Sequence, residues 1–238
     1  SLNHKIAGDI ISDIDFSYTD FIPETLNEEY SRYLTKHLDE RLNAVKWHNT
    51  NRDTMSQNSL KASLLNLAGG RLKDPIAIEF AQENYKSILL EQSLLDSTLS
   101  SAILEVVAVN FGEVEYILFE TAYSRVTKSN LKSNILTAMG YFSSPKIVSR
   151  YFDFLLSGQV PIDEIGYRFQ YPSFNPALRN HVLDYIEANK EKILKSINQQ
   201  QWFPYNFYTS CKENIRVRVN QVFSSWTKDV PGLKEKLN

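Results

Sequence analysis

Apolar residues recur along this chain at helical spacing. Ile147, Val148, Tyr151, Phe152, Leu155 and Leu156 stand at i, i+1, i+4, i+5, i+8 and i+9, which draws one apolar stripe along one side of a helix. Leu26, Tyr30, Leu34, Leu38 and Leu42 repeat at steps of four, as do Ile6, Ile10 and Ile14, then Val114, Leu118 and Ala122, and Leu131, Ile135 and Met139. No stretch sustains a period of two. Ile215–Phe223 comes nearest, yet Val222 and Trp226 make it equally good as helix.

Punctuation agrees with this pattern. Asp74-Pro75, Ser144-Pro145 and Asn175-Pro176 each put a capping side chain before proline. The cap oxygen takes an orphan helix N–H, and proline at the first helical position has no N–H to satisfy. Gly69-Gly70 and Gly158 read as stops, and Gly112 as a joint between two helices. About eleven helices follow, near 3–14, 24–45, 57–68, 75–90, 97–110, 113–126, 129–142, 145–157, 161–170, 176–197 and 207–226. Pro145 and Pro176 are 31 residues apart, Gly112 and Ser144 are 32, and each interval holds a helix pair. Repeats of that kind build superhelical solenoids. The expected fold is therefore all-α, a helical-repeat (HEAT/armadillo-like) α-α superhelix, with a plain globular bundle as the alternative.

Composition narrows the function classes. Hydrophobic residues make up 42% of the 238 and charged residues 23%, which excludes a disordered or collagenous chain. A net charge of −2 and no basic stripe argue against nucleic acid as a partner. No apolar stretch approaches the roughly 20 residues that span a bilayer, so no membrane partner is expected. The opening Ser1-Leu2-Asn3 in place of Met implies a chain that is processed, tagged or cut from something longer. One cysteine, Cys211, and no Asn-x-Ser/Thr acceptor point to a reducing compartment or a bacterial source, and so to a cytoplasmic location.

Reactive side chains are scarce. The four histidines, His4, His37, His48 and His181, lie far apart, and no His-Glu-x-x-His helix exists to bind zinc. His181 and Asp184 form an i, i+3 pair that would hold a metal only with help from elsewhere; a helical surface His beside a carboxylate explains them better. Lys212 beside Cys211 would lower a thiol pKa, but a half-buried helical Cys is the better reading. Gly69-Gly70-Arg71 follows a helix instead of opening one, so it is no phosphate loop. Asp163-Glu164 and Glu113/Glu115 sit at helix starts and complement the dipole. Lys212, Arg216 and Arg218 read as a solvated helix face. Aromatics are richer: Tyr141-Phe142, Tyr167-Arg168-Phe169-Gln170-Tyr171 and Trp202-Phe203-Pro204-Tyr205 cluster near helix ends. They are mostly core material, though Tyr and Arg at loop tips also suit contact surfaces.

Several ordered segments resemble one family. Lys46-Trp47 through Leu60-Lys61-Ala62-Ser63-Leu64-Leu65 resembles the start of the C-terminal helical domain of the aminopeptidase-N-like zinc aminopeptidases, which include the puromycin-sensitive and endoplasmic-reticulum enzymes. Asn110-Phe111-Gly112 with Tyr116 and Tyr123 is similar to that family's turn and following helix. So are Leu136-Thr137-Ala138-Met139-Gly140, Ser144-Pro145 and Phe152-Asp153-Phe154-Leu155-Leu156-Ser157, then Val160-Pro161-Ile162-Asp163, and Asn175-Pro176 with Arg179, Tyr185-Ile186 and Asn189-Lys190. Lys46, Lys61, Tyr185 and Lys190 depart from the family's usual residues, and the likeness covers roughly residues 20–226.

The resemblance implies a single helical-repeat domain over 1–238, with 1–45 as a lead-in helical segment, cut from a larger zinc aminopeptidase. In the family an upstream domain carries the zinc helix and the substrate-amine motif. The C-terminal domain is a bowl of paired helices that covers the active site, limits access and contacts peptides beyond their first residues. The implied partners are the catalytic domain and peptide substrates. No catalytic residue and no metal ligand is expected in this chain, zinc belonging to the parent. Arg125, Tyr141, Arg168 and Tyr171 are candidate peptide-facing donors from their positions at helix ends. The alternative is an independent helical-repeat scaffold that binds a protein partner.

Overall fold

Local signals at the helix starts decide most of the architecture. Thr54 opens a helix with a capping box: its hydroxyl accepts from Gln57 N at 3.3 Å, and the Gln57 side chain accepts from Thr54 N at 2.7 Å. Asp74 accepts from Ala77 N at 2.8 Å ahead of Pro75. Gly112 starts the next helix pair, its N–H donating to Glu115 Oε2 at 3.3 Å. The computed structural model describes residues 7–8, 10–11, 13–14, 22–45, 47, 54–196, 213–230 and 232–237. The helices are α1 (Asn27–Ala44), α2 (Met55–Leu65), α3 (Pro75–Leu89), α4 (Ser97–Asn110), α5 (Glu113–Arg125), α6 (Ser129–Met139), α7 (Pro145–Leu155), α8 (Ile162–Arg168), α9 (Arg179–Ala188), α10 (Lys190–Ser196), α11 (Glu213–Ser224) and α12 (Leu233–Leu237). A π-helical segment, Asn66–Leu72, links α2 to α3. The fold is all-α, with no strand among the described residues.

The chain divides into two compact units, Ser1–Met139 and Gly140–Asn238. In the first, α4 is the centre and packs against α2, α3 and α6. Its sequence explains the position. Leu99, Ala102, Ile103, Leu104, Val106, Val107 and Ala108 are buried round most of its circumference, and Thr98, Ser101 and Glu105 form the one polar, partly exposed strip. The π segment lies hard against α4. A Cβ on Gly69 would stand 2.7 Å from Val106 Cγ1, so only glycine permits that approach. Asn110 fastens the contact: its amide donates to Gly69 O at 2.9 Å and Val106 O at 2.8 Å, and its carbonyl accepts from Lys73 Nζ at 3.0 Å.

In the second unit α9 packs on α7 and α11, and α12 closes on α11. The α7 stripe is buried as expected, from Ile147 and Val148 to Leu155 and Leu156. Two polar rungs join α7 to α9. Ser149 Oγ lies 3.0 Å from His181 Nε2, and the Tyr185 hydroxyl donates to Asp153 Oδ1 at 2.7 Å. Both rungs span 32 residues. Their equal offset is what parallel i, i+4 rows on two paired helices produce.

Several expectations need correcting. Gly69-Gly70 is not a stop. Both lie inside the π segment, and the left-handed residue that ends it is Lys73, φ 58°. The expected helix over 176–197 is three pieces: a 3-10 turn Pro176–Leu178, then α9 and α10, broken at Asn189. Asn189 adopts φ −114°, ψ 20°, and its amide donates to Tyr185 O at 2.9 Å, the local bonding by which asparagine competes with a helix. Ser144 makes no side-chain cap bond. Val114 and Leu118 are exposed, and α5 buries Tyr116, Phe119, Ala122 and Tyr123 instead. Ile10 and Leu26 are also exposed, with Ile11 and Leu34 inward. His4, His48, Ile6, Lys46, Cys211, Lys212 and Trp202–Tyr205 lie outside the described residues.

Candidate functional site

The second unit gathers aromatic side chains from three short pieces of chain. Tyr141 follows α6 directly, Tyr167 ends α8, and Tyr171 and Phe174 bracket the 3-10 turn Tyr171–Phe174. Pro172 sets φ for that turn and supplies no N–H. Gly140 lets the pieces meet: a Cβ there would lie 2.7 Å from Tyr171 Cβ and 3.2 Å from the Tyr151 ring. The Tyr141 and Tyr171 ring centroids are 5.6 Å apart. Tyr141 and Phe174 stack at 6.1 Å and 10°, and Tyr167 meets Tyr171 edge-on at 6.4 Å. Tyr167 is exposed, and Tyr141, Tyr171 and Phe174 are half-buried. The result is a tray of partly exposed aromatic rings.

Arg168 lies beneath the tray, with no exposed surface. Its Nη2 donates to Glu164 Oε2 at 2.7 Å, and its guanidinium stacks under the Tyr167 ring at 4.9 Å. A second buried arginine, Arg179, donates from Nε to Ser173 O at 3.0 Å and so ties the 3-10 turn to α9. Burial raises the Tyr167 phenol above its ordinary pKa; Arg168 opposes the rise, and Glu164, Tyr171 and Asp163 add to it.

The four candidate donors therefore separate. Tyr141 and Tyr171 are neighbours in the tray. Arg168 belongs to the same place but offers a ligand nothing in this conformation, because its charge is inside and paired. Arg125 is exposed at the end of α5 in the other unit. Tyr167 and Phe174 complete the tray beyond the candidate set. The signal for them was spacing: Tyr167, Tyr171 and Phe174 stand at i, i+4 and i+7.

Polar groups elsewhere in this unit pair with one another. Asp184 accepts from Arg218 Nη2 at 2.8 Å, while the His181 ring lies 3.0 Å from Ser149 Oγ. Arg218 also binds Glu187 at 2.6 Å, and Arg216 binds Glu213 at 2.8 Å. Lys190 Nζ bridges Ser225 O and Asp229, each at 2.8 Å. Among the described residues no group of three His, Cys, Asp or Glu is placed to hold a metal ion. No helix among them is long and apolar enough to cross a membrane.

Tyr185 gives a pH prediction. Burial first, then its bond to the Asp153 carboxylate, hold its proton well above the ordinary value near 10. Folded and unfolded chains are both neutral at Tyr185 below about pH 10, so its contribution is whole there. Above that pH the unfolded chain ionises first, and the contribution is lost as pH rises toward the folded value. Urea midpoints measured from neutral pH to about pH 11 should fall at the alkaline end, and Tyr185→Phe should flatten the fall. An unchanged alkaline slope in that variant would remove Tyr185 as its source.

A family model described as ERAP1-like C-terminal domain matches residues 5–237. No curated protein matches the chain.

Proposed function

The chain belongs to the ERAP1-like C-terminal domain family, and from that premise we propose that it is the non-catalytic helical domain of a zinc aminopeptidase. In this reading it covers the catalytic cleft of its parent and lends contacts to peptides whose N-terminal residues are removed there. The observation that carries the reading is the match over residues 5–237 of an all-helical chain. The equal 32-residue offset of the two α7–α9 rungs supports a helical-repeat superhelix. Among the described residues no donor set fits the zinc of such enzymes. What this chain's residues supply is contact surface.

The aromatic tray is the surface best suited to an extended peptide. Ring faces pack against side chains at little entropic loss, and phenol hydroxyls donate to peptide carbonyls. With Arg168 enclosed, recognition at the tray rests on Tyr141, Tyr167, Tyr171 and Phe174. Tyr171→Ala and Tyr141→Ala are each expected to weaken binding of a fluorescent peptide about 5- to 30-fold, the effect of removing an aromatic anchor. Unchanged anisotropy titrations would take the tray out of the peptide path.

The coding sequence upstream of Ser1 tests the whole reading. An in-frame His-Glu-x-x-His helix supports it. An initiator methionine directly before Ser1 overturns it in favour of an independent scaffold that binds a protein partner.

A further inference from the structure

The π segment ends on a lysine in an uncommon setting. Lys73 stands in the left-handed region at φ 58°, which residues other than glycine, asparagine and aspartate seldom occupy. The residue as a whole is exposed, yet its Nζ turns back onto the protein and donates to Asn110 Oδ1 at 3.0 Å. That acceptor is itself held in place, because the Asn110 amide donates to Gly69 O and Val106 O. The ammonium thus has a neutral partner. Among the described residues no carboxylate pairs with Lys73. Asp74, the next residue, directs its carboxylate to Ala77 N as the cap of α3.

Arg71, two residues earlier in the same segment, adds a like charge. Burial of the ammonium first, and Arg71 second, hold the Lys73 amine below its ordinary pKa. Desolvation and a neighbouring cation are the two environments that make a lysine nucleophilic. A neutral Nζ keeps one N–H on Asn110 and has its lone pair available from a fixed position. Arg71 stays cationic throughout, since a guanidinium does not lose its proton in a protein. An electrophile that carries negative charge is therefore favoured over a neutral one at the same place.

We propose that Lys73 is a modification site, an amine acylated in preference to the chain's other lysines by small acyl phosphates, with the Arg71 charge drawing in the anionic donor. Nζ attacks the acyl carbon. The C–N bond forms as the C–O bond to phosphate breaks, phosphate leaves with the electron pair, and the proton released from nitrogen passes to solvent. The amide that results keeps one N–H, which can still donate to Asn110, so the junction of the π segment with α4 survives. What is lost is one of two neighbouring positive charges. The site lies in the first unit and does not depend on the peptidase reading.

Limiting acetyl phosphate, added to the folded full chain with Nα-acetyl-lysine amide as internal standard, tests this by mass-spectrometric peptide mapping. At neutral pH Lys73 should acetylate about three- to tenfold faster than the exposed Lys36 and Lys228. Its rate should level off at a lower pH than that of the standard. Unfolding the chain in urea should erase the lead. Arg71→Gln should lower the lead about twofold or more, and Arg71→Lys, which keeps the charge, should retain most of it. With p-nitrophenyl acetate, a neutral donor, the lead should shrink. Equal labelling of Lys73 and Lys36 in the folded chain overturns the proposal. So does a lead that persists in urea, or one that is as large with p-nitrophenyl acetate and indifferent to Arg71→Gln.

Discussion

Phe152→Ala is expected to lower the stability of the second unit by about 3–5 kcal/mol, the range for truncating a buried aromatic. Phe152 is wholly enclosed. It stacks on Phe169 at 4.7 Å and 15°, and touches Tyr185 at 4.8 Å and Tyr151 at 5.8 Å. Its removal opens a cavity between α7, α9 and the end of α8. It also loosens the ring that carries the Tyr185–Asp153 bond. Phe152→Leu refills most of the volume and should cost less than half as much. Urea unfolding together with amide exchange of α7 and α9 reads the effect. A loss under about 1 kcal/mol would mean that these rings do not form the packed centre described.

The second large effect is expected at Arg168, and its sign pattern is unusual. Glu164→Gln leaves the enclosed guanidinium without its carboxylate and should destabilise by about 2–4 kcal/mol. That is slightly below the usual range for splitting a buried pair, because the Glu164 side chain is 34% exposed and partly screened. Arg168→Met removes the charge, keeps much of the volume, and should be far milder, since apolar replacement of a buried ion pair is often near neutral. Peptide affinity should hardly change in Arg168→Met if Arg168 supports the tray from below. The result that would sink this account is a stable Glu164→Gln protein beside an Arg168→Met protein with greatly weakened peptide binding. That outcome would make Arg168 a ligand-binding cation after all.

These two residues also mark how far the sequence could be read. Phe152 was legible because its stripe from Ile147 to Leu156 is long and regular, and Ser144-Pro145 locates its start. Arg168 was not. α8 has only seven residues, too few to define a face, and the ring of Tyr167 that helps enclose it is its own neighbour in sequence. On α5 the spacing found an apolar face but not the inward one. Val114 and Leu118 repeat with Ala122 as regularly as Tyr116, Phe119 and Tyr123 do, yet only Ala122 of that stripe is buried, and packing against the other helices makes the difference. The π segment escaped for a related reason: glycine, a common helix stop, also allows close approach, and the Val106 contact at Gly69 is tertiary. The tray was half visible. Tyr141 and Tyr171 could be nominated from their places at helix ends, but their meeting depends on Gly140 having no side chain.

The π segment bears on how this chain can change in length. Between Asn66 and Leu72 the backbone bonds run from i to i+5, so each turn holds one residue more than an α-turn does. Deleting one residue elsewhere in a helix rotates everything after it by about 100° and swaps core for solvent. Within this segment a deletion can be absorbed by rewinding the surplus into α-helix. Phe80, on the next helix, then keeps its place stacked on Trp47 at 6.1 Å. Insertions and deletions of a single residue among relatives should accordingly concentrate between positions 66 and 72, the stretch where the helical ladder already carries a spare rung.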